Sequence, residues 1–239
     1  MTNPLIFKLA RRDLISEEEE QILTRAIAAV RDVPGDQDIV SEGSRPTTSI
    51  LLLTGFAARY RTLSDGKRQI TALHVSGDFV DLHSFMLKKM DHGVLALTAC
   101  RIAMVPHENL RRITEAHPHL TRMLWLSTLI DAAMHREWLL SVGRRSPVSH
   151  IAHLLCELYT RLQQVGEAEN GSFQLPVTQA ELGDMLGLST VHANRSLQQL
   201  RRENVITWRG TTVVIENWER LQAIAEFDPT YLNLTNEPR

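Results

Sequence analysis

Thr190, His192, Asn194, Arg195, Gln198 and Arg201 all carry hydrogen-bonding side chains and fall within one short stretch. Between them, Ala193, Leu197 and Leu200 recur at helical steps, so a helix from Thr190 to about Arg202 buries one side and exposes the other. A face of donors and acceptors on a buried support is the arrangement that reads base edges in a DNA major groove. Ser189 to Arg202 holds three arginines and no acid, although the whole chain has a formal net charge of -2. Non-specific attraction through a generally basic surface is thereby excluded, and any affinity for nucleic acid has to come from that local patch.

Catalytic chemistry finds no such support. The sequence has no Gly-x-Ser-x-Gly elbow, no phosphate loop and no paired catalytic carboxylates, so no catalytic residue is assigned. His74, His83 and His92 lie nine residues apart, and His150 and His153 lack a third ligand beside them. None has the tight spacing of a metal set, so no metal site is predicted.

The elements that would position the polar helix are written around it. Thr178 with Glu181 forms a capping box, and Leu182, Met185 and Leu186 give the helix it opens one apolar side. Gly187 supplies the sharp turn, and Ser189 caps the following helix. Beyond it, Asn204–Ile206 leads into Thr207–Gly210, and Thr211–Ile215 returns, with the turn at Arg209-Gly210. A hairpin directly after a reading helix is a wing, and Arg209 at its tip is placed to touch a phosphate.

Upstream the texture changes. Residues 1–30 read as helical, with Ser16 capping an acidic first turn. From Val33 to Val105, turn signals recur about every ten residues with short apolar runs between, the pattern of a closed β-roll, sandwich or barrel. The interval 78–93 is an irregular insertion with a helical turn, the kind of loop on which ligands bind. A long helix over about 118–141 carries Met123, Leu126, Ile130 and Ala133 on one seam. Such a stripe suits a contact with a second copy of the chain as well as with the roll. Ser141–Pro147 (SVGRRSP) reads as a hinge, residues 147–165 as a helix, 166–175 as a polar loop, and the segment after Pro229 as extended. The fold class is α+β, in three parts: a β-roll sensor over 1–117, a dimerisation helix over 118–142, and a winged helix-turn-helix over 143–239.

At 239 residues the chain can bury two modest cores. Cys100 and Cys156 lie far apart in apolar surroundings and read as buried small hydrophobes in a reducing compartment. There is no secretory signal and no apolar run near the roughly 20 residues that span a bilayer, so a cytoplasmic protein without a membrane partner is expected.

The order helix, β-roll, long helix, hinge, winged helix-turn-helix resembles the Crp/Fnr superfamily of transcription factors. The likeness rests on Gly77-Asp78-Phe79, the SDGKRQI hairpin, GRRSP at the hinge and TQAELGDMLGLS in the reader. It implies a homodimer that places two reading helices in successive major grooves of an inverted-repeat promoter site, working with RNA polymerase. Base-reading positions fall at Thr190, Val191 and Arg195, with Arg195 at the guanine-reading arginine and His192 taking a share. Thr178, Gln179 and Ser189 match phosphate-holding positions. In the roll, the resemblance marks Asp81, Leu82, His83, His92 and Gly93 as the effector pocket. Leu82 and His92-Gly93 stand where the family's cyclic-nucleotide cassette needs a glutamate and an arginine pair, which argues against cyclic AMP. The cysteine cluster of an iron–sulfur centre is absent, which argues against that cofactor. No cofactor is predicted, haem stays open as a ligand, and a small-molecule effector is the expected partner of the roll. Two other readings stand beside this one: a constitutive regulator with a vestigial sensor, and a cupin-like metal enzyme, which leaves residues 177–215 unexplained.

Overall fold

A computed structural model describes residues 3–239. The chain divides into two compact units. The first takes residues up to Arg61 with Ala72–Ala132 and Asn233–Arg239; the second takes Thr62–Thr71 with Ala133–Leu232.

In the first unit, Asn3 caps helix α1 (Pro4–Ala10), and Ser16 and Glu19 close a capping box on α2 (Glu17–Arg25). The helical reading of residues 1–30 is thus corrected to two short helices, with Met1 and Thr2 outside the described residues. Past Arg25 the backbone finds better partners in a ladder: Ala28 donates to Met104 O at 2.9 Å, and strand β1 (Ala29–Val33) follows.

Strands β2 (Gln37–Val40), β3 (Thr48–Thr54), β4 (Ala57–Thr62), β5 (Arg68–His74), β6 (Gly93–Ala96) and β7 (Cys100–Pro106) complete the roll. They form two sheets, ordered β1-β7-β3 and β2-β6-β4-β5. β3 is apolar at successive positions because both its faces are covered. Ile50 and Leu52 join Val80, Val94 and Ile102 in one core, while Leu51 joins Ala103, Val105 and the helices in another. The insertion carries the expected helical turn, α3 (Ser84–Leu87), and α4 (His107–Ala116) leads into α5 (Pro118–Arg144).

His119 on α5 lies between two carboxylates, Nδ1 2.6 Å from Glu19 Oε1 and Nε2 3.1 Å from Asp13 Oδ2. The hydrogen bond to Glu19, reinforced by Asp13, raises the His119 pKa above its ordinary value. Partial burial pushes both carboxyls up, but their hydrogen bonds outweigh it and hold them below the usual range.

In the second unit the expected hinge shrinks to two residues. α5 runs through Ser141-Val142-Gly143 to Arg144, and Ser146 already caps α6 (Pro147–Gln163). Arg145 secures the end of α5, donating to Ser141 Oγ at 2.7 Å and to Glu137 Oε2 at 3.1 Å. Against these bonds the cost of one helical glycine, about 1 kcal/mol, is small.

On α6 the expected apolar face is buried, and Glu157 is fully buried with it. Its carboxylate accepts from Arg161 Nη1 at 3.0 Å, Tyr231 OH at 2.8 Å and Trp138 Nε1 at 3.2 Å. Burial pushes the His150 and His153 pKa values down to about 4 and about 3, so both rings are neutral.

The expected loop over 166–175 is corrected to a hairpin of β8 (Ala168–Glu169) and β9 (Ser172–Gln174). Asn170 and Gly171 turn it at φ 49° and 75°, the conformation for which Asn-Gly is suited. Helices α7 (Gln179–Leu186) and α8 (Thr190–Arg202), strands β10 (Ile206–Arg209) and β11 (Thr212–Ile215), and α9 (Trp218–Ala225) follow. The sheet order is β10-β11-β9-β8. After Pro229 the chain makes a short 3-10 helix to Leu232 rather than an extended end. No described helix is long and apolar enough to cross a membrane. Cys100 and Cys156 are buried free thiols, each pushed up in pKa by burial.

Candidate nucleic-acid interface

The reader is assembled by local signals that agree. Thr178 Oγ1 accepts from Glu181 N at 3.1 Å, while Glu181 Oε2 accepts from Thr178 N at 2.6 Å, closing the capping box of α7. Gly187 ends that helix at φ 64°, in the left-handed region that costs glycine nothing. Gly183 is required for a different reason. A Cβ there would sit 2.8 Å from Leu188 O, so its absence lets the connecting turn pack onto α7. Ser189 then caps α8 through His192 N.

α8 buries Ala193, Ser196, Leu197 and Leu200. Each buried leucine contributes about 1.5–3 kcal/mol, enough to hold a helix of this length against its neighbours. Ser196 lies on this inner face beside the three apolar residues. Thr178, Gln179, Ser189, Thr190, Val191, His192, Arg195 and Arg209 are all exposed. Asn194 is half-buried and donates to Gln179 Oε1 at 3.2 Å, tying the exposed start of α7 to α8.

Arg201 departs from the polar face read in the sequence. It is half-buried, and its Nη2 donates to the carbonyl of Trp208 on β10. Its guanidinium braces the wing against α8 instead of facing outward. The wing pairs Arg209 with Thr212, so its two-residue turn is Gly210-Thr211, one position beyond the expected turn, with Gly210 at φ 58°. β11 also pairs with β9, which makes the wing part of a sheet instead of a free hairpin.

Arg68 and Gln69, at the end of the SDGKRQI hairpin, belong to this unit. Arg68 Nε lies 2.8 Å from Asp184 Oδ2, and Gln69 Nε2 donates to Asp184 O at 2.7 Å, so both hold the outer side of α7.

Of the seam residues on α5, Leu126, Ile130 and Ala133 are half-buried in the single chain. Met123 is corrected: it is fully buried in its own chain's core with Leu120 and Leu124, so it presents nothing to a partner. The exposed large apolar residues of α5 are instead Trp125 (64%), Leu129 (52%), Leu139 (73%), Leu140 (46%) and Val142 (52%).

The five effector residues do not converge as a set. Asp81 is fully buried, and its Oδ1 accepts from Ile50 N at 2.6 Å, fastening the insertion to β3. Burial pushes its pKa up to about 7. Leu82 packs against the helix-side core. Asp81 Oδ1 thus ties the loop to β3, and Leu82 adds to the core. Gly93 gives room to Tyr60, whose ring would lie 2.6 Å from a Cβ there. Only His83 and His92 meet through their functional atoms, Nε2 to Nε2 at 2.9 Å.

Two family models match, in the order the fold gives them. One described as a cyclic nucleotide-binding domain covers residues 30–117, and one described as a Crp-like helix-turn-helix domain covers 149–224. The transcriptional activator protein FnrL of Cereibacter sphaeroides is 29% identical over 210 residues, spanning 86% of this chain and 84% of its own. The fumarate and nitrate reduction regulatory protein of Vibrio cholerae is 22% identical over 211 residues, 88% of this chain and 84% of its own. Among solved structures, FixK2 from Bradyrhizobium japonicum superposes with a TM-score of 0.76 at 26% identity, covering 83% of this chain and 97% of that one. These relatives are regulators of transcription and not enzymes. The likeness takes in the roll and the reader together, and the chain belongs to the Crp/Fnr family of DNA-binding transcription regulators.

Proposed function

We propose that the protein works in the cytoplasm as a homodimer, binds an inverted-repeat promoter site, and responds to a signal received by its β-roll. The observation that carries this reading is the surface of α8. Its inner side is closed by Ala193, Leu197 and Leu200, while Thr190, Val191, His192 and Arg195 stand free at its N-terminal end. In this reading Arg195 takes a guanine edge, Val191 packs on a thymine methyl, and Thr178, Gln179, Ser189 and Arg209 hold phosphates. Two-fold symmetry then sets the half-sites one helical turn apart. The exposed apolar stripe on α5, with Leu126, Ile130 and Ala133 beside it, supports self-association through that helix.

The signal in this proposal is not cyclic AMP. Leu82 is apolar and packs against the core, so it offers no group to hold a ribose hydroxyl. The bound regulator acts on promoters together with RNA polymerase. Selection of bound duplexes from a random pool tests the reading directly. An inverted repeat with centres about 10 base pairs apart is expected. Enrichment of no sequence, or of a single unrepeated half-site, overturns it.

A further inference from the structure

The insertion between β5 and β6 folds back on itself. His83 sits at the N-terminal end of α3, and Asp91 and His92 immediately precede β6. A ring nitrogen of His83, a ring nitrogen of His92 and a carboxylate oxygen of Asp91 all lie within 4.8 Å of one another. The two ring nitrogens are 2.9 Å apart, and Asp91 Oδ1 is 3.7 Å from His92 Nε2. We propose that these three side chains form a binding site for a borderline first-row divalent cation, of the zinc, cobalt or iron(II) type, with at least one coordination position open to solvent.

Three features support the assignment. First, His92 Nδ1 lies 3.3 Å from Gly93 O. A carbonyl oxygen only accepts, so Nδ1 carries the proton and Nε2 presents a lone pair to the cluster. A backbone carbonyl on the far nitrogen is the usual way a ligating histidine is oriented. Second, His83 Nε2 already faces that lone pair at 2.9 Å, so the two ring nitrogens converge on one point. Third, two imidazoles and one carboxylate are a donor set for this class of metal and not for magnesium or calcium.

The geometry needs only a small adjustment. Metal–nitrogen bonds of about 2.0–2.1 Å in a tetrahedron put the two nitrogens about 3.3 Å apart, so the rings open by roughly 0.4 Å. In the metal-free state His83 Nε2–H donates to His92 Nε2. On binding, that proton moves to Nδ1 of His83 and the cation takes its place, so both imidazoles stay neutral. The Arg59 charge opposes a cation, but its Nη1 is paired with Asp131 Oδ2 at 3.1 Å. Tyr60 packed against Gly93 and buried Met90 fix the two ends of the Asp91–His92 segment. Asp91 is 73% exposed and gives the ion a route from solvent. Three protein ligands with an open fourth position suit reversible occupancy better than a permanent structural role.

The test uses untagged full-length protein stripped with chelator, titrated with Co2+ by visible absorption and with Zn2+ by calorimetry. One ion per chain is expected, with the ligand-field bands of nitrogen and oxygen coordination. Affinity should fall more than about 10-fold in Asp91→Asn and more than about 100-fold in His83→Gln or His92→Gln. His92 is buried, so far-UV dichroism checks each fold, and half-buried His83 carries the test should His92→Gln misfold. Absence of binding, or unchanged affinity in folded His83→Gln, overturns the proposal. The titration needs no DNA, so it stands or falls separately from the promoter-binding reading.

Discussion

Arg195→Ala separates base reading from simple attraction to DNA. Arg195 is exposed on α8, away from the buried set of Ala193, Ser196, Leu197 and Leu200 and from the Ser189 cap. Its removal should therefore change folding stability by no more than about 0.5 kcal/mol. A bidentate arginine–guanine contact is worth about 1–3 kcal/mol. A dimer reading two half-sites loses about 2–6 kcal/mol, or roughly 30-fold to 10^4-fold in affinity for the selected site. On a scrambled duplex of equal length, the loss is at most that of one phosphate contact per chain. Arg195→Lys keeps the charge but not the planar fork, so it should lose preference for the site while preserving the salt dependence. Arg201→Ala provides the contrast. That guanidinium is spent on the Trp208 carbonyl, so its loss loosens the wing and weakens specific and scrambled DNA alike. Fluorescence anisotropy with both duplexes at two salt concentrations reads all of these. Equal loss on the two duplexes for Arg195→Ala, with a shallower salt slope, would make Arg195 a phosphate contact and refute the reasoning.

Other perturbations test the supporting structure. Ile130→Lys puts a charge into the α5 stripe beside exposed Leu129, and light scattering should report a monomer with weakened operator affinity; an intact dimer would move the contact elsewhere. Glu157→Ala removes the buried carboxylate that Arg161, only 5% exposed, shares with the Trp138 and Tyr231 donors. Urea unfolding should show a loss of about 3–5 kcal/mol, and a loss under about 1 kcal/mol would mean the network is not the anchor described. His119 has a raised folded pKa, so its contribution is complete below its unfolded value of about 6.5 and fades as pH rises through the folded one. Asp13 and Glu19 have lowered pKa values, so theirs is present above the unfolded carboxylate range and fades as pH falls through the folded ones. His119→Gln should therefore flatten the alkaline side of the stability profile, and a profile parallel to that of the unaltered protein would count against the triad.

What could be read from the sequence followed how local the deciding interaction was. The capping box of Thr178 and Glu181, the turn at Gly187 and the cap at Ser189 each involve residues no more than three apart, and all agree with the apolar period of α7 and α8. The same kind of signal was present at Asn170-Gly171 but lost weight among polar neighbours, and the β8–β9 hairpin went unread. At the hinge, Gly143 suggested a break that the Arg145 bonds to Ser141 and Glu137 override. Met123 shows a different gap: a helical stripe says that a face is covered, not which surface covers it.

The roll shows why positional correspondence is weaker than geometry. Leu82 stands at a cassette position by resemblance, and in the fold its side chain packs against the core while the neighbouring Asp81 accepts from the β3 backbone. His83 and His92 are nine residues apart, wider than the typical spacing within a ligand pair, and the fold-back of the insertion brings their nitrogens together. The contact depends on α3, on Met90 buried beneath the loop, and on the gap that Gly93 leaves for the Tyr60 ring. None of those contacts is periodic, so none could be written as a pattern. In the proposed cation site, the loop before β6 presents His83, Asp91 and His92 as one donor set held on the rigid frame of the roll.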